Sequence, residues 1–278
     1  MDIRDCADNL SGVLDSAALV VSQGRLLVMP TDTVYGVGAD AFNPAAVANL
    51  LAAKGRGRDM PPPVLVASEQ MAEALADGLP EEAHTLISAF WPGALTIVVT
   101  AQPALAWDLG DTQGTVALRM PDSDIARQLL ERTGPLAVSS ANTTGNPAAI
   151  TAAGAADMLG ESVSLYLDGG PAPGQVASTI VDLTGHPARI LREGAIDRDQ
   201  IAALIELEPE PESDSESEPG AAPDTAGGPG DEAEEVAGTQ VQSTGAVDAE
   251  SAADPFSAPA EEAGPPPSRT AYPEHTEP

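Results

Sequence analysis

Positive charge is scarce in this sequence. Of 278 residues only 12 are lysine or arginine, against 43 aspartate or glutamate, and Lys54 is the single lysine. A formal net charge of −31 argues against sequence-independent binding of nucleic acid, which clustered cations drive by releasing counterions. Cysteine is nearly absent too: Cys6 alone cannot form an intrachain disulfide, and His84, His186 and His275 are too scattered for a structural zinc site. Aromatic residues amount to 3%, which leaves few platforms for stacking unpaired bases. No run approaches the ~20 apolar residues that cross a bilayer. The amino-terminal MDIRDCADNL is acidic where a secretory signal is basic and then apolar. These absences lead to the expectation of a cytoplasmic protein, in a reducing compartment, without membrane attachment.

What is present divides unevenly. Residues 206–278 hold 19 of the 43 acidic residues and one basic residue, Arg269, so this segment carries −18 and residues 1–205 carry −13. The segment is rich in Pro, Glu, Ser, Ala and Gly and poor in large apolar side chains. Such a chain cannot bury enough surface to offset its conformational entropy, and it reads as a disordered acidic tail, either solubilising and self-repelling or a docking segment for a basic partner. The 205-residue body is long enough to bury about 70% of its unfolded surface without a metal or disulfide.

Within the body, short apolar runs alternate with helical patterns. RLLVMP (25–30), PVLVA (63–67), LTIVVT (95–100), TVALRM (115–120), PLAVSS (135–140), LYLDGG (165–170), STIVDLT (178–184) and ARILREG (188–194) read as strands. Asn43 followed by Pro44 starts a helix to about residue 53, and Asp122 or Ser123 starts another to about 131. Residues 81–90, 151–159 and 197–205 are helical by the same pattern. The alternation predicts an α/β fold with a twisted, mixed, largely parallel sheet flanked by helices.

Several common signatures are missing: there is no phosphate-binding Gly-x-x-x-x-Gly-Lys-Ser/Thr loop, no Gly-x-Gly-x-x-Gly, no Gly-x-Ser-x-Gly and no His-Glu-x-x-His. Polar clusters at strand ends stand in their place. MPTDTVYGVGAD presents Thr31, Asp32, Thr33 and Tyr35 ahead of Gly36 and Gly38, which permit tight backbone turns. AAKGRGRDMP gathers Lys54, Arg56 and Arg58 at a helix end, where some positive charge complements the helix dipole anyway. PLAVSSANTTGNP ends a strand in Ser139, Ser140, Asn142, Thr143 and Thr144; DGGPAPGQVASTIVD adds Asp168 and Ser178, and ILREG adds Arg192. Taken singly, each reads equally well as an ordinary capped turn. Together they put hydroxyls, an amide and four or five cations at strand ends of an acidic body. Two anionic groups in one cleft would account for them.

PTDTVYGVGADA, AAKGRGRDMP, WPGALTIVV, VALRMP, SSANTTGNP, DGGP, STIVDLT and ILREGAI occur in the order and at the spacing of the YrdC-like threonylcarbamoyl-AMP synthases, which residues 10–205 resemble. The resemblance implies a sheet flanked by helices with an open cavity. It also implies an enzyme that joins L-threonine, bicarbonate and ATP into threonylcarbamoyl-AMP with release of pyrophosphate, Mg²⁺ accompanying ATP and no protein metal site. The product would pass to a transferase that modifies ANN-decoding tRNA, with tRNA binding weak or indirect. The family's functional Lys-x-Arg and Ser-x-Asn fall on Lys54 and Arg56 and on Ser140 and Asn142. Lys54 and Arg56 are thereby implied to be catalytic and, with Ser140, Asn142 and Arg192, to bind ATP. Thr31, Thr33, Arg119 and Ser178 match threonine-contacting positions. Asp32 stands where glutamate is common and Gly57 where proline is usual, which puts loop geometry in question more than chemistry. A non-catalytic RNA-binding module, or a related enzyme with another acceptor amine, are the alternatives.

Overall fold

Buried apolar runs fix where the strands lie. A computed structural model describes residues 1–174 and 176–209. The acidic segment from residue 210 onward falls outside the described residues, and with it the reading of that segment as a disordered tail. Ten strands form one sheet in the order β1-β8-β2-β3-β7-β4-β6-β5-β9-β10. They are β1 (Ile3–Asp5), β2 (Leu27–Met29), β3 (Gly36–Asp40), β4 (Val64–Leu65), β5 (Leu95–Thr100), β6 (Thr115–Arg119), β7 (Leu136–Ser140), β8 (Leu165–Asp168), β9 (Thr179–Asp182) and β10 (Arg189–Arg192). The eight expected strands are present, and β1 and β3 are additional. Pairing is mixed as expected but not largely parallel. Four strand pairs are parallel and five antiparallel, because β2, β3, β7 and β4 follow one another in alternating direction.

The strand β3 corrects the sequence reading. Gly36 and Gly38 are not turn residues; they lie in register opposite Ser140 and Val138. A Cβ on Gly36 would sit 2.6 Å from Val138 Cγ1, so glycine is there for close packing across the pair rather than for an unusual dihedral.

Among the described residues seven helices cover the sheet: α1 (Leu10–Ser22), α2 (Pro44–Lys54), α3 (Glu69–Leu75), α4 (Glu81–Phe90), α5 (Asp124–Thr133), α6 (Ala152–Leu159) and α7 (Arg198–Ala202). Their starts follow local chemistry. Asn43 Oδ1 accepts from the amides of Ala45 and Ala46, Ser123 Oγ from Ala126, and Thr151 Oγ1 from Gly154. The last helix stops at Ala202, shorter than expected, and the chain then pairs once more: Glu208 N donates to Ala188 O at 2.7 Å, beyond the boundary expected at 205.

The helices are shared unequally between the two faces. One face packs against α2, α3, α4, α6 and α7 through Val28, Ala137 and Tyr166. The other packs against α1 and α5 through Leu27, Met29, Leu136, Val138, Leu165 and Leu167. Two helices cannot span ten strands. Consequently β2, β7 and β8 are buried on both faces, whereas β6 and β9 alternate buried with half-buried residues and β5 does so at Ile97–Val99. That half-bare stretch is where a ligand can rest on the sheet.

Replacing Gly36 by Ala overpacks β3 against Val138 and should cost about 1–3 kcal/mol, lowering Tm by several degrees. Gly38→Ala, whose new methyl would meet Val138 at a tolerable 3.4 Å, should change Tm far less. Equal effects in thermal melts would contradict this packing account.

Candidate active site

The half-bare face holds a cavity of about 250 Å³. Its wall takes Thr31 and Thr33 from the β2–β3 connection, Arg119 from the end of β6, Ser139 and Ser140 from the end of β7, and Arg192 from the end of β10. Ser178 and Thr96, from the starts of β9 and β5, close it, and mid-strand Val138 and Ile180 also contribute. Strand starts and strand middles therefore take part as well as carboxyl ends, and the site lies across a sheet face rather than along one edge.

The cations arrive by local turns. The last residue of α2 is Lys54, and Gly55 then takes a left-handed conformation (φ 63°), with Arg56 N donating to Leu51 O at 2.9 Å. That cap turns the chain so that both side chains reach β7. Arg56 Nη1 donates to Ser139 Oγ at 3.1 Å, while its Nε is buried without an acceptor among the described residues. A buried donor of this kind suits a bound anion.

Lys54 departs from expectation. It is 1% exposed and lies behind the cavity wall, not in it. Its ammonium donates to Asn142 O at 2.7 Å, to Asn142 Oδ1 at 3.1 Å and to Ser140 O. Asn142 likewise sits behind Ser140, its Nδ2 donating to the carbonyls of Thr143 and Asn146. Three carbonyl oxygens and no carboxylate surround the charge. Lys54 thus shapes the turn that presents Ser140, and Arg56 is the member of the Lys-x-Arg pair that lines the cavity.

A second set of contacts fixes Arg119. Its Nε donates to Gly93 O at 2.9 Å, Nη1 to Thr33 Oγ1 at 3.0 Å and Nη2 to Asp32 Oδ1 at 2.6 Å. Thr31 Oγ1 donates to Val34 O at 2.6 Å, so Thr33 must donate in their mutual 3.1 Å contact. Asp32, unassigned by sequence reasoning, is the carboxylate of this buried pair and also accepts from Asp122 N. Arg192 is held by Ser178, 2.7 Å from its carbonyl and 3.1 Å from its hydroxyl, and Ser178 Oγ lies 2.8 Å from Thr96 Oγ1. Thr96 also escaped the sequence reading. Its only signal there is one hydroxyl in an aliphatic strand, which a strand interior can bury harmlessly. Conversely His84 and His186 lie elsewhere, beside Glu69 and beside Glu82 and Glu206.

Charge is concentrated by this arrangement. Burial pushes the pKa of Lys54, Arg56, Arg119 and Arg192 down in each case. Arg56 further lowers Lys54 and Arg192, and Arg192 lowers Arg119, so the cations feel one another. Lys54 is brought to about 8. Asp32 is the carboxylate paired within this group, and no carboxylate lines the cavity among the described residues. The site is built for an anion with several oxygens.

A depressed lysine pKa has two opposite pH signatures. Between about pH 8 and the ordinary value of 10.5, the unfolded chain keeps a proton that the folded chain has released, so this group's contribution to stability rises with pH. Over the same interval the site loses a positive charge and anion affinity falls. Calorimetric titration with sulfate, whose own charge does not change over this range, should show several-fold weaker binding at pH 9 than at pH 7, a difference that Lys54→Met removes. Affinity independent of pH in the unmodified protein would contradict the assignment.

Comparison with known proteins gives the family. Residues 19–194 match a family profile described as "Telomere recombination", that of the Sua5, YciO and YrdC proteins. A Mycobacterium leprae protein is 54% identical over 210 residues, covering 75% of this chain and 96% of that protein, and its name assigns threonylcarbamoyl-AMP synthase activity provisionally. The threonylcarbamoyl-AMP synthase of Pyrococcus abyssi is 38% identical over 190 residues, 68% of this chain and 56% of the relative. The crystal structure of P. abyssi Sua5 complexed with L-threonine superposes with a TM-score of 0.67 at 36% identity, covering 70% of this chain and 59% of that one. With the profile spanning more than half the sequence, and a relative above half identity matched over nearly its whole length, this chain belongs to the Sua5/YciO/YrdC family.

Proposed function

We propose that this protein is a threonylcarbamoyl-AMP synthase, which condenses L-threonine, bicarbonate and ATP into threonylcarbamoyl-AMP and pyrophosphate. The observation that carries the reading is the convergence of Arg56, Arg119 and Arg192 on one cavity without a lining carboxylate, in a family whose P. abyssi member is known with L-threonine bound.

Threonine's amine forms a C–N bond to bicarbonate, a C–O bond breaks and water leaves, giving a carbamate whose oxygen attacks the α-phosphorus of ATP; the bond to pyrophosphate breaks and the electron pair leaves with it. Negative charge builds on the phosphoryl oxygens and on the leaving group, so positioning and charge neutralisation dominate the barrier. Arg56 and Arg192 neutralise the phosphates, with Ser140 donating to them. Arg119, Thr31, Thr33 and Ser178 bind threonine, the Asp32 pair keeping Arg119 oriented. Lys54 and Asn142 act through the turn they hold. Among the described residues, no histidine or free carboxylate in the cavity wall serves as a general base. Among the described residues the wall offers Mg²⁺ hydroxyls but no carboxylate, which fits an ion that arrives on the phosphates of its nucleotide. The product is a reactive mixed anhydride, so a transferase acting on tRNA must take it up promptly in the cytoplasm. The acidic body suits indirect rather than tight tRNA contact.

Mass spectrometry of a mixture of ATP, bicarbonate and threonine should detect threonylcarbamoyl-AMP, with pyrophosphate release well above that with serine or with no amino acid. Arg56→Ala should slow the reaction about 100-fold, the scale of a lost electrostatic donor, with little change in Tm. Absence of the product from the unmodified protein would refute the reading.

Anion binding should also relieve repulsion among the four cations. ATP at about 100 times its Kd should raise stability by about 2.7 kcal/mol, visible as a Tm increase of several degrees. A Tm unchanged by ATP would oppose it.

A further inference from the structure

The loop at residues 55–61, which carries Arg56 into the cavity, is gripped by a segment remote from the chemistry. Arg58 is not part of the cavity wall. Its guanidinium donates to both oxygens of Asp108, 3.1 Å from Nη1 to Oδ2 and 2.8 Å from Nη2 to Oδ1, and its Nε lies 3.4 Å from Asp111 Oδ1. The backbones join as well: Asp111 N donates to Arg58 O at 2.8 Å. Gly110 adopts φ +109°, and a Cβ there would lie 2.6 Å from Arg58 O, so only glycine allows so close an approach. The gripping segment is itself anchored. Leu109 is buried in the core, and Trp107 stacks on Phe42 with ring centroids 5.6 Å apart.

The same loop is poorly supported by packing. A second void of about 240 Å³ separates it from Val47 and Leu51 of α2, and Arg56 borders both this void and the substrate cavity. A side chain with open space on two sides is not fixed by its neighbours' volume. Hydrogen bonds must fix it instead: the side chain bonds to Ser139, and the backbone is held by Arg56 N on Leu51 O at one end and through Arg58 at the other.

We propose that the Arg58–Asp108 clasp is a positioning device for the reaction: it holds the 55–61 loop so that Arg56 stays directed at the triphosphate instead of withdrawing toward the second void. Asp108 is then a positioning residue for nucleotide binding, acting through Arg58. The clasp should matter for ATP and not for threonine, because Thr31, Thr33 and Arg119 are held by contacts of their own. This inference rests on reading the cavity as an ATP site.

The test is a double-mutant cycle in the full chain: Arg58→Ala, Asp108→Asn and the two combined, with initial rates measured against ATP and against threonine. Each single change should raise the KM for ATP about two- to fivefold, the scale of an exposed bidentate pair. The KM for threonine should hold, and the double variant should be no worse than the worse single one. Amide hydrogen exchange over residues 55–61 should quicken in all three, a readout that needs no turnover. An effect of Arg58→Ala alone would mean that Arg58 meets the nucleotide directly, and it overturns the clasp. So would additive effects, a parallel rise in the KM for threonine, or unchanged exchange. Failure of the unmodified protein to make product would instead count against the functional reading, with the exchange data still deciding the clasp.

Discussion

A single buried ammonium joins the two halves of the site. Lys54 ends α2, β7 ends in Ser140, and the lysine's donors are spent on the carbonyls of Ser140 and Asn142 and on the Asn142 amide oxygen. Burying a charge without a counter-charge is costly unless its hydrogen bonds are made, and here they are made by two backbone carbonyls and the Asn142 side chain. The turn's shape and the lysine's protonation therefore depend on each other. A methionine would fill the space but leave three oxygens unanswered, and an arginine would bring a planar fork to a pocket shaped for a compact head.

From that junction the site follows by charge. Arg56, two residues on, is directed past Gly55 to Ser139, and Arg119 and Arg192 approach from strands across the sheet. Their mutual repulsion is tolerated because each rests on neutral oxygens: Arg192 on Ser178, Arg119 on Gly93 and Thr33, with Asp32 as the balancing carboxylate. A body of charge −13 nevertheless collects cations in one hollow. Such a field favours a small, dense anion that enters the hollow over a long one that must lie along the surface. The unequal helix layers complete the arrangement, since α1 and α5 leave the β5, β6 and β9 stretch of their face open.

Much of the fold was legible. The aliphatic runs at residues 95–100 and 135–140 could be little else than strands, and Asn43-Pro44, Ser123 and Thr151 carry the chemistry of helix starts in their own side chains. The failures have physical causes. β3 escaped because Gly36 and Gly38 resemble turn residues, when their small size serves a strand pressed against Val138. The sheet was expected to be largely parallel because strand–helix alternation usually means crossovers, yet β2 to β3 connects without a helix and reverses direction.

The sequence by itself determined which side chains could meet an anion, since cations are so rare in it that those beside glycine and hydroxyl clusters stand out, and it determined most element boundaries, which depend on neighbours within four residues. Only the tertiary structure decided how those side chains divide their work. Whether Lys54 faces a ligand or a carbonyl depends on where β7 ends in space, 86 residues away along the chain, and Asp32 became the partner of Arg119 because the β2–β3 connection reaches β6. Contacts of that range are set by the packing of helices on a twisted sheet, and no local pattern in the chain encodes them.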